Sequence, residues 1–210
     1  MCRIDHVFTS NNNPEKLKSK IMKLFLFDLE TTGTDAIKNG VHQISGKIII
    51  DGVVRQCFDF KVRPKDGAEY DPKALEVGKV TREQLEAYPP MHEVFGQVMM
   101  MLDQYINKYN KGDKFFLLGF NNAHFDNHMF RQWFMDNGFK YFGSYFWSNS
   151  FDCMVLATPF LCDRRASMQD FKQSTVAAAL GISIDPSKLH DASYDIELCQ
   201  AIYDKVCGKY

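Results

Sequence analysis

The sequence predicts a single α/β domain built on a mixed β-sheet, and three observations carry that prediction. Leu24-Phe25-Leu26-Phe27 is apolar at consecutive positions, the pattern of a central strand covered on both faces. QISGKIII (43–50) and VVRQCFDFKV (53–62) flank Asp51-Gly52, the strongest short-range signal for an antiparallel hairpin. Beyond the hairpin, helical periodicities alternate with further short apolar runs.

Taken in order, residues 1–21 are polar, contain Asn11-Asn12-Asn13-Pro14 and show no periodicity. They read as a poorly structured N-terminal tail, with the domain spanning 22–210 and Met22 as a natural starting point. Residues 63–80 read as an irregular connection. Thr81 and Gln84 form a capping box for a short helix that Pro89 and Pro90 close. Met91, Val94, Phe95, Val98, Met99, Leu102, Tyr105, Ile106 and Tyr109 recur at helical spacing. KFFLLGF (114–120) is a second buried strand. A helix then starts near Asp126, buries Met129, Phe130, Trp133 and Phe134, and ends at Gly138. Residues 139–150 are aromatic and loop-like, and 151–156 read as a short strand. Ser167 to Leu180 reads as a helix stopped by Gly181. The last helix runs from about Ala192 to Val206, with Ala192, Ile196, Cys199, Ile202, Tyr203 and Val206 as its core stripe.

Composition narrows the function classes. The 210 residues are 45% hydrophobic and 24% charged, which excludes collagen-like, low-complexity and largely disordered chains. No apolar run approaches the roughly 20 residues of a membrane span, and the N-terminus lacks a secretory signal. With 25 basic and 26 acidic residues the net charge is −1, so a strongly basic nucleic-acid coat is excluded, though a local groove is not. Six cysteines without CxxC or finger spacing read as reduced thiols of an intracellular protein, with no structural zinc.

Four carboxylates stand where folding alone would not put them. Asp28 and Glu30 are two apart on a strand, so they share a face at the carboxyl end of the most buried strand, the usual mouth of an open α/β sheet. Asp126 heads the apolar face of its helix, and Asp195 lies within the stripe of the last one. Each alone has a structural explanation, a helix-dipole or ion-pair role. Together they are hard oxygen donors suited to Mg2+ or Mn2+. His190, five residues before Asp195, has the chemistry of a general base for water. Two divalent cations roughly 4 Å apart can clamp a phosphodiester, activating water on one side and stabilising the leaving oxygen on the other.

The pattern resembles the DEDD 3′–5′ exonucleases of the ribonuclease-H-like superfamily, in the histidine-bearing branch (DEDDh) that includes bacterial proofreading subunits. FDLETTGTD (27–35), NAHFD (122–126) and HDASYD (190–195) are similar to its three motifs in order. The sister branch carries tyrosine four before the last aspartate, where this chain has Asp191. Pro64 with KVTREQLEAYPP, SFDCMVLA and TVAAALGI resembles the connecting segments, so the likeness covers about residues 22–207. It implies a five-stranded mixed sheet with the second strand antiparallel and helices on both faces. It implies that Asp28, Glu30, Asp126 and Asp195 bind two divalent cations, Mg2+ or Mn2+, that His190 deprotonates water, and that Thr31, Thr32, His124 and Phe125 contact the terminal nucleotide. The substrate implied is a single-stranded DNA 3′ end, and the products are nucleoside 5′-monophosphates. The implied setting is DNA replication or repair. The chain ends 15 residues after Asp195 (210 − 195), which favours a stand-alone nuclease, or a subunit recruited to a polymerase or replication partner by another surface, over one with a long C-terminal polymerase-binding segment. Lys16, Lys18, Lys20 and Lys23, Arg164, Arg165 and Lys172, and the aromatics of 139–147 are further candidates for substrate contact.

Three rival readings are weaker. A haloacid-dehalogenase-type phosphatase needs a second Asp where Glu30 stands and has no use for HDASYD. An inactive nuclease fold that only binds nucleic acid should lack one of the five catalytic residues, and all are present. A 3′–5′ exoribonuclease on short RNA uses the same chemistry, because the cations act on phosphate.

Overall fold

The structure, a computed structural model, describes residues 21–189 and 192–208, so the expected tail at 1–21 lies outside it except for Ile21. Five strands form one sheet in the order β3-β2-β1-β4-β5: β1 Lys23–Thr31, β2 Val41–Ile50, β3 Val53–Lys61, β4 Phe116–Gly119 and β5 Phe151–Asp152. β2 runs antiparallel to both β1 and β3, while β4 is parallel to β1 and to β5. The Asp51-Gly52 hairpin turns with both residues at positive φ, 50° and 74°, as a two-residue loop between twisted strands requires.

Strand parity divides the core in two. Phe25, Phe27 and Leu29 face α3 (Met91–Tyr105) and α4 (Asp126–Asp136), with Ile44 and Ile48 of β2 beside them. Phe25 has no exposed surface and stacks on Phe58 and Phe130 at centroid distances of 4.9 and 5.7 Å. Burying such a ring contributes roughly 1.5–3 kcal/mol. Leu24 and Leu26 face the other way, onto α5 (Cys153–Leu161), α6 (Gln173–Ala179) and α7 (Ala192–Cys207). Asp28 and Glu30 continue that second series along β1, toward the face that α7 covers.

Several local expectations are corrected. Residues 63–80 contain α1 (Pro72–Val77), because Asp71 accepts from the Lys73 amide and Pro72 opens the first turn. The capping box at Thr81 and Gln84 is formed and opens α2 (Arg82–Glu86). Tyr109 falls beyond α3 and is 88% exposed. The strand expected at 151–156 is only Phe151–Asp152, because Asp152 accepts from the Met154 amide and starts α5 there. The helix expected from Ser167 begins at Gln173. The preceding segment Cys162–Ser167 is a 3-10 turn, and Asp170 takes the Lys172 amide and the Thr175 hydroxyl into a local turn. The aromatic stretch 139–147 is mostly core, with Phe142, Tyr145 and Phe146 buried. Among the described residues no helix is long and apolar enough to cross a membrane.

Candidate active site

The site is assembled at the carboxyl end of β1. β4 pairs with β1 only as far as Leu26. Past that point the Leu29 amide donates to Asp126 Oδ1 at 3.2 Å, which anchors the head of α4 directly on the strand that carries Asp28 and Glu30. Gly119 lets the chain pass this closely. A Cβ there would lie 2.7 Å from the Asn122 Cβ and 3.2 Å from the Phe27 carbonyl oxygen.

Electrostatics show that the four acids share one field. The Asp28 carboxyl is held well above the usual carboxylate range, first by loss of water, then by Asp126, Glu30 and Asp195. Asp126, 5% exposed, is pushed up to about 7. Burial is the main cause; the Leu29 amide and its own backbone amide pull the other way, while Glu30 and Asp152 add to the rise. Carboxylates crowded in this way are relieved by a cation or by a proton. Hard oxygen donors in this number fit a divalent cation. Among the described residues no three acidic, histidine or cysteine side chains are already gathered around a single ion point. His190 and Asp191 lie outside the described residues.

The residues expected to contact a nucleotide divide. His124 is exposed and Phe125 half-buried, packed against the core, and both sit beside Asp126. Thr31 is buried and its hydroxyl donates to the Gly33 carbonyl at 2.7 Å. Thr32 has no exposed surface. Its amide donates to Gly40 O and its carbonyl accepts from the Asp71 amide. Its hydroxyl donates to Glu69 O and accepts from the Gly40 amide. Thr32 is the hub of the loop after β1. A β-bulge sits beside it, with His42 as the extra residue opposite Glu30 and Thr31.

Three features were not picked out from the sequence. Asp152, 5% exposed, accepts from the amides of Asn121 (2.9 Å), Met154 (3.0 Å) and Ala123 (3.3 Å), holding the turn that precedes Asp126. Gln173 Nε2 donates to the Asp195 carbonyl at 2.6 Å and fixes the first turn of α7. A polar row also crosses the sheet on the same face as the acids. Asp28 pairs with Ser45 and Ser45 with Asp59, while Glu30 pairs with Gln43 and Gln43 with Lys61. Gln43 donates to Ser45 and Asp59, Ser45 donates to Asp59, and Lys61 donates to Gln43. Only strand parity carried a signal for that row.

The basic candidates are less central. Lys23 is at the far end of β1, paired to Asp113 at 2.5 Å. Arg164 and Arg165 are exposed in the 3-10 turn, with the Arg165 guanidinium 4.5 Å over the Phe171 ring.

Comparison with known proteins places this geometry. The model of the RNase_T family, described as Exonuclease, matches residues 25–203. The PolC-type DNA polymerase III of Mycoplasmopsis pulmonis (strain UAB CTIP) is 24% identical over 178 residues, 85% of this chain and 11% of that protein. A structure of exonuclease I, described as suggesting how processivity is achieved, superposes with a TM-score of 0.69 at 20% identity over 90% of this chain and 41% of its own. E. coli exonuclease I with a dT13 oligonucleotide gives a TM-score of 0.66 at 19% identity, over 88% of this chain and 41% of its own. The chain thus spans about a tenth of the polymerase and about two-fifths of exonuclease I. The sheet order and the antiparallel second strand are those of the ribonuclease-H-like fold. With its family model covering most of its length, the chain belongs to the Exonuclease (RNase_T) family, of the DEDD type.

Proposed function

We propose that this chain is a divalent-metal-dependent 3′–5′ exonuclease that removes nucleoside 5′-monophosphates from the 3′ end of single-stranded DNA. The observation that carries the reading is the convergence on Asp28 of Asp126, Glu30 and Asp195, brought from three separate segments. Family membership supports the exonuclease chemistry. DNA as substrate is supported by the similarity to a PolC-type DNA polymerase III and to an exonuclease I solved with a DNA oligonucleotide.

Asp28, Glu30, Asp126 and Asp195 are the residues to hold two cations, Mg2+ or Mn2+. Bound there, the cations would supply Lewis acidity to the scissile phosphate and to the attacking water. His190 takes the proton from that water. His124 and Phe125, beside Asp126, and Thr31 and Thr32, after Glu30, are the residues to contact the terminal nucleotide. Residues 22–210 form the exonuclease domain of an intracellular protein, acting alone or beside a polymerase.

The test is a time course on a 5′-labelled single-stranded DNA oligonucleotide with Mg2+. Wild type should produce a descending ladder; Asp28→Ala, or wild type in EDTA, should not. Cleavage of RNA but not DNA would transfer the reading to an exoribonuclease. Full activity in Asp28→Ala would overturn the metal site.

A further inference from the structure

We propose that Asp152 is a positioning residue for Asp126, a reading that rests on Asp126 being a metal ligand. Three hydrogen bonds argue for it. As the cap of α5, Asp152 needs only the bond from the Met154 amide, which a serine also makes. Its other two bonds reach the Asn121 and Ala123 amides, in the turn that leads from β4 into α4. That turn passes through the left-handed region at Asn121, φ +58°. The chain has six residues, 120–125, in which to leave Gly119 and deliver Asp126 onto the Leu29 amide. A carboxylate has acceptors for all three donors, whereas an asparagine amide would aim a donor of its own at one of them. Partners of this kind around metal ligands typically change metal affinity or activity about 10–100-fold when lost.

Three substitutions separate clamp from cap. Asp152→Ser keeps the cap but is too short for the turn. Asp152→Asn keeps the shape and two of the three acceptor bonds. Asp152→Ala loses everything. Each is measured for Mn2+ affinity by calorimetry, for amide hydrogen exchange at Asn121 and Ala123, and for kcat and KM on the DNA oligonucleotide, with thermal melting to confirm folding. The expected result is that Asp152→Ser melts near wild type, yet binds Mn2+ about tenfold or more weakly. It should lose protection at Asn121 and Ala123 and lower kcat more than it changes KM, with Asp152→Asn between it and wild type. If wild type binds Mn2+ and cleaves, and Asp152→Ser matches it in affinity and protection, the positioning role alone is overturned. If wild type neither binds Mn2+ nor cleaves, the metal reading falls and takes this role with it.

Discussion

His42 stands on β2 with 1% of its surface exposed, and neither ring nitrogen has a partner in another residue. Burial, then the charge of Lys61, hold its imidazole down to about 4. In the unfolded chain the ring takes up its proton below about 6.5. Between these values the unfolded state binds more protons, so the stability that neutral His42 allows is intact above about pH 6.5 and lost as pH falls toward 4. Replacing it with an apolar side chain removes both the proton linkage and two unsatisfied nitrogens. His42→Leu should therefore melt higher at pH 5 by about 1–2 kcal/mol, or roughly 2–8 °C for a chain of this size, with a smaller gain at pH 7.5. Parallel melting curves across that pH range for the two proteins would show that His42 does not titrate on unfolding.

At the scale of the elements, the end of β4 is the narrowest passage, because Gly119 runs past Phe27 and Asn122 with no room for a methyl group. Gly119→Ala should lower stability by about 1–3 kcal/mol. By shifting the turn that delivers Asp126 it should cut cleavage further, about 10²-fold. Melting and initial rates on one preparation check both, and a wild-type rate with a lowered melting temperature would detach this passage from the site. The same contrast explains what was legible beforehand. The hairpin, the capping box and the shared face of Asp28 and Glu30 are written in neighbouring residues, and the motif spacing exposed Asp126 and Asp195. Asp152 and Gln173 were not legible, because their partners lie 31, 29 and 22 positions away in sequence. The structural role of Thr32 was hidden for the same reason: its hydroxyl donates 37 positions onward, to Glu69. Short elements were missed or overextended where a side-chain oxygen, such as that of Asp71 or Asp170, rewrote the local path.

For the molecule as a whole, the acid cluster is a liability until it is neutralised. Mg2+ at about 100 times its dissociation constant should stabilise the folded protein by about 2.7 kcal/mol, or roughly 5–11 °C. Asp28→Asn removes one of the crowded charges, so in EDTA at pH 8 it should melt above wild type, while its own response to Mg2+ shrinks. Equal Mg2+ shifts in the two proteins, read by calorimetry, would dissociate the cation from this cluster. Two separate cores back the sheet; Asp28 and Glu30 share the face that α5, α6 and α7 cover, and Asp126 reaches them from the head of α4, which packs on the other. The order of these segments along the chain has a temporal consequence. Three of the four acids are made with β1 and the head of α4, but Asp195 arrives only with α7. A chain still being translated can therefore complete most of one core, and expose every binding surface on β1, while lacking the last member of the cluster. On the proposed reading, such a nascent chain would lack one of the four cation ligands until α7 has been made.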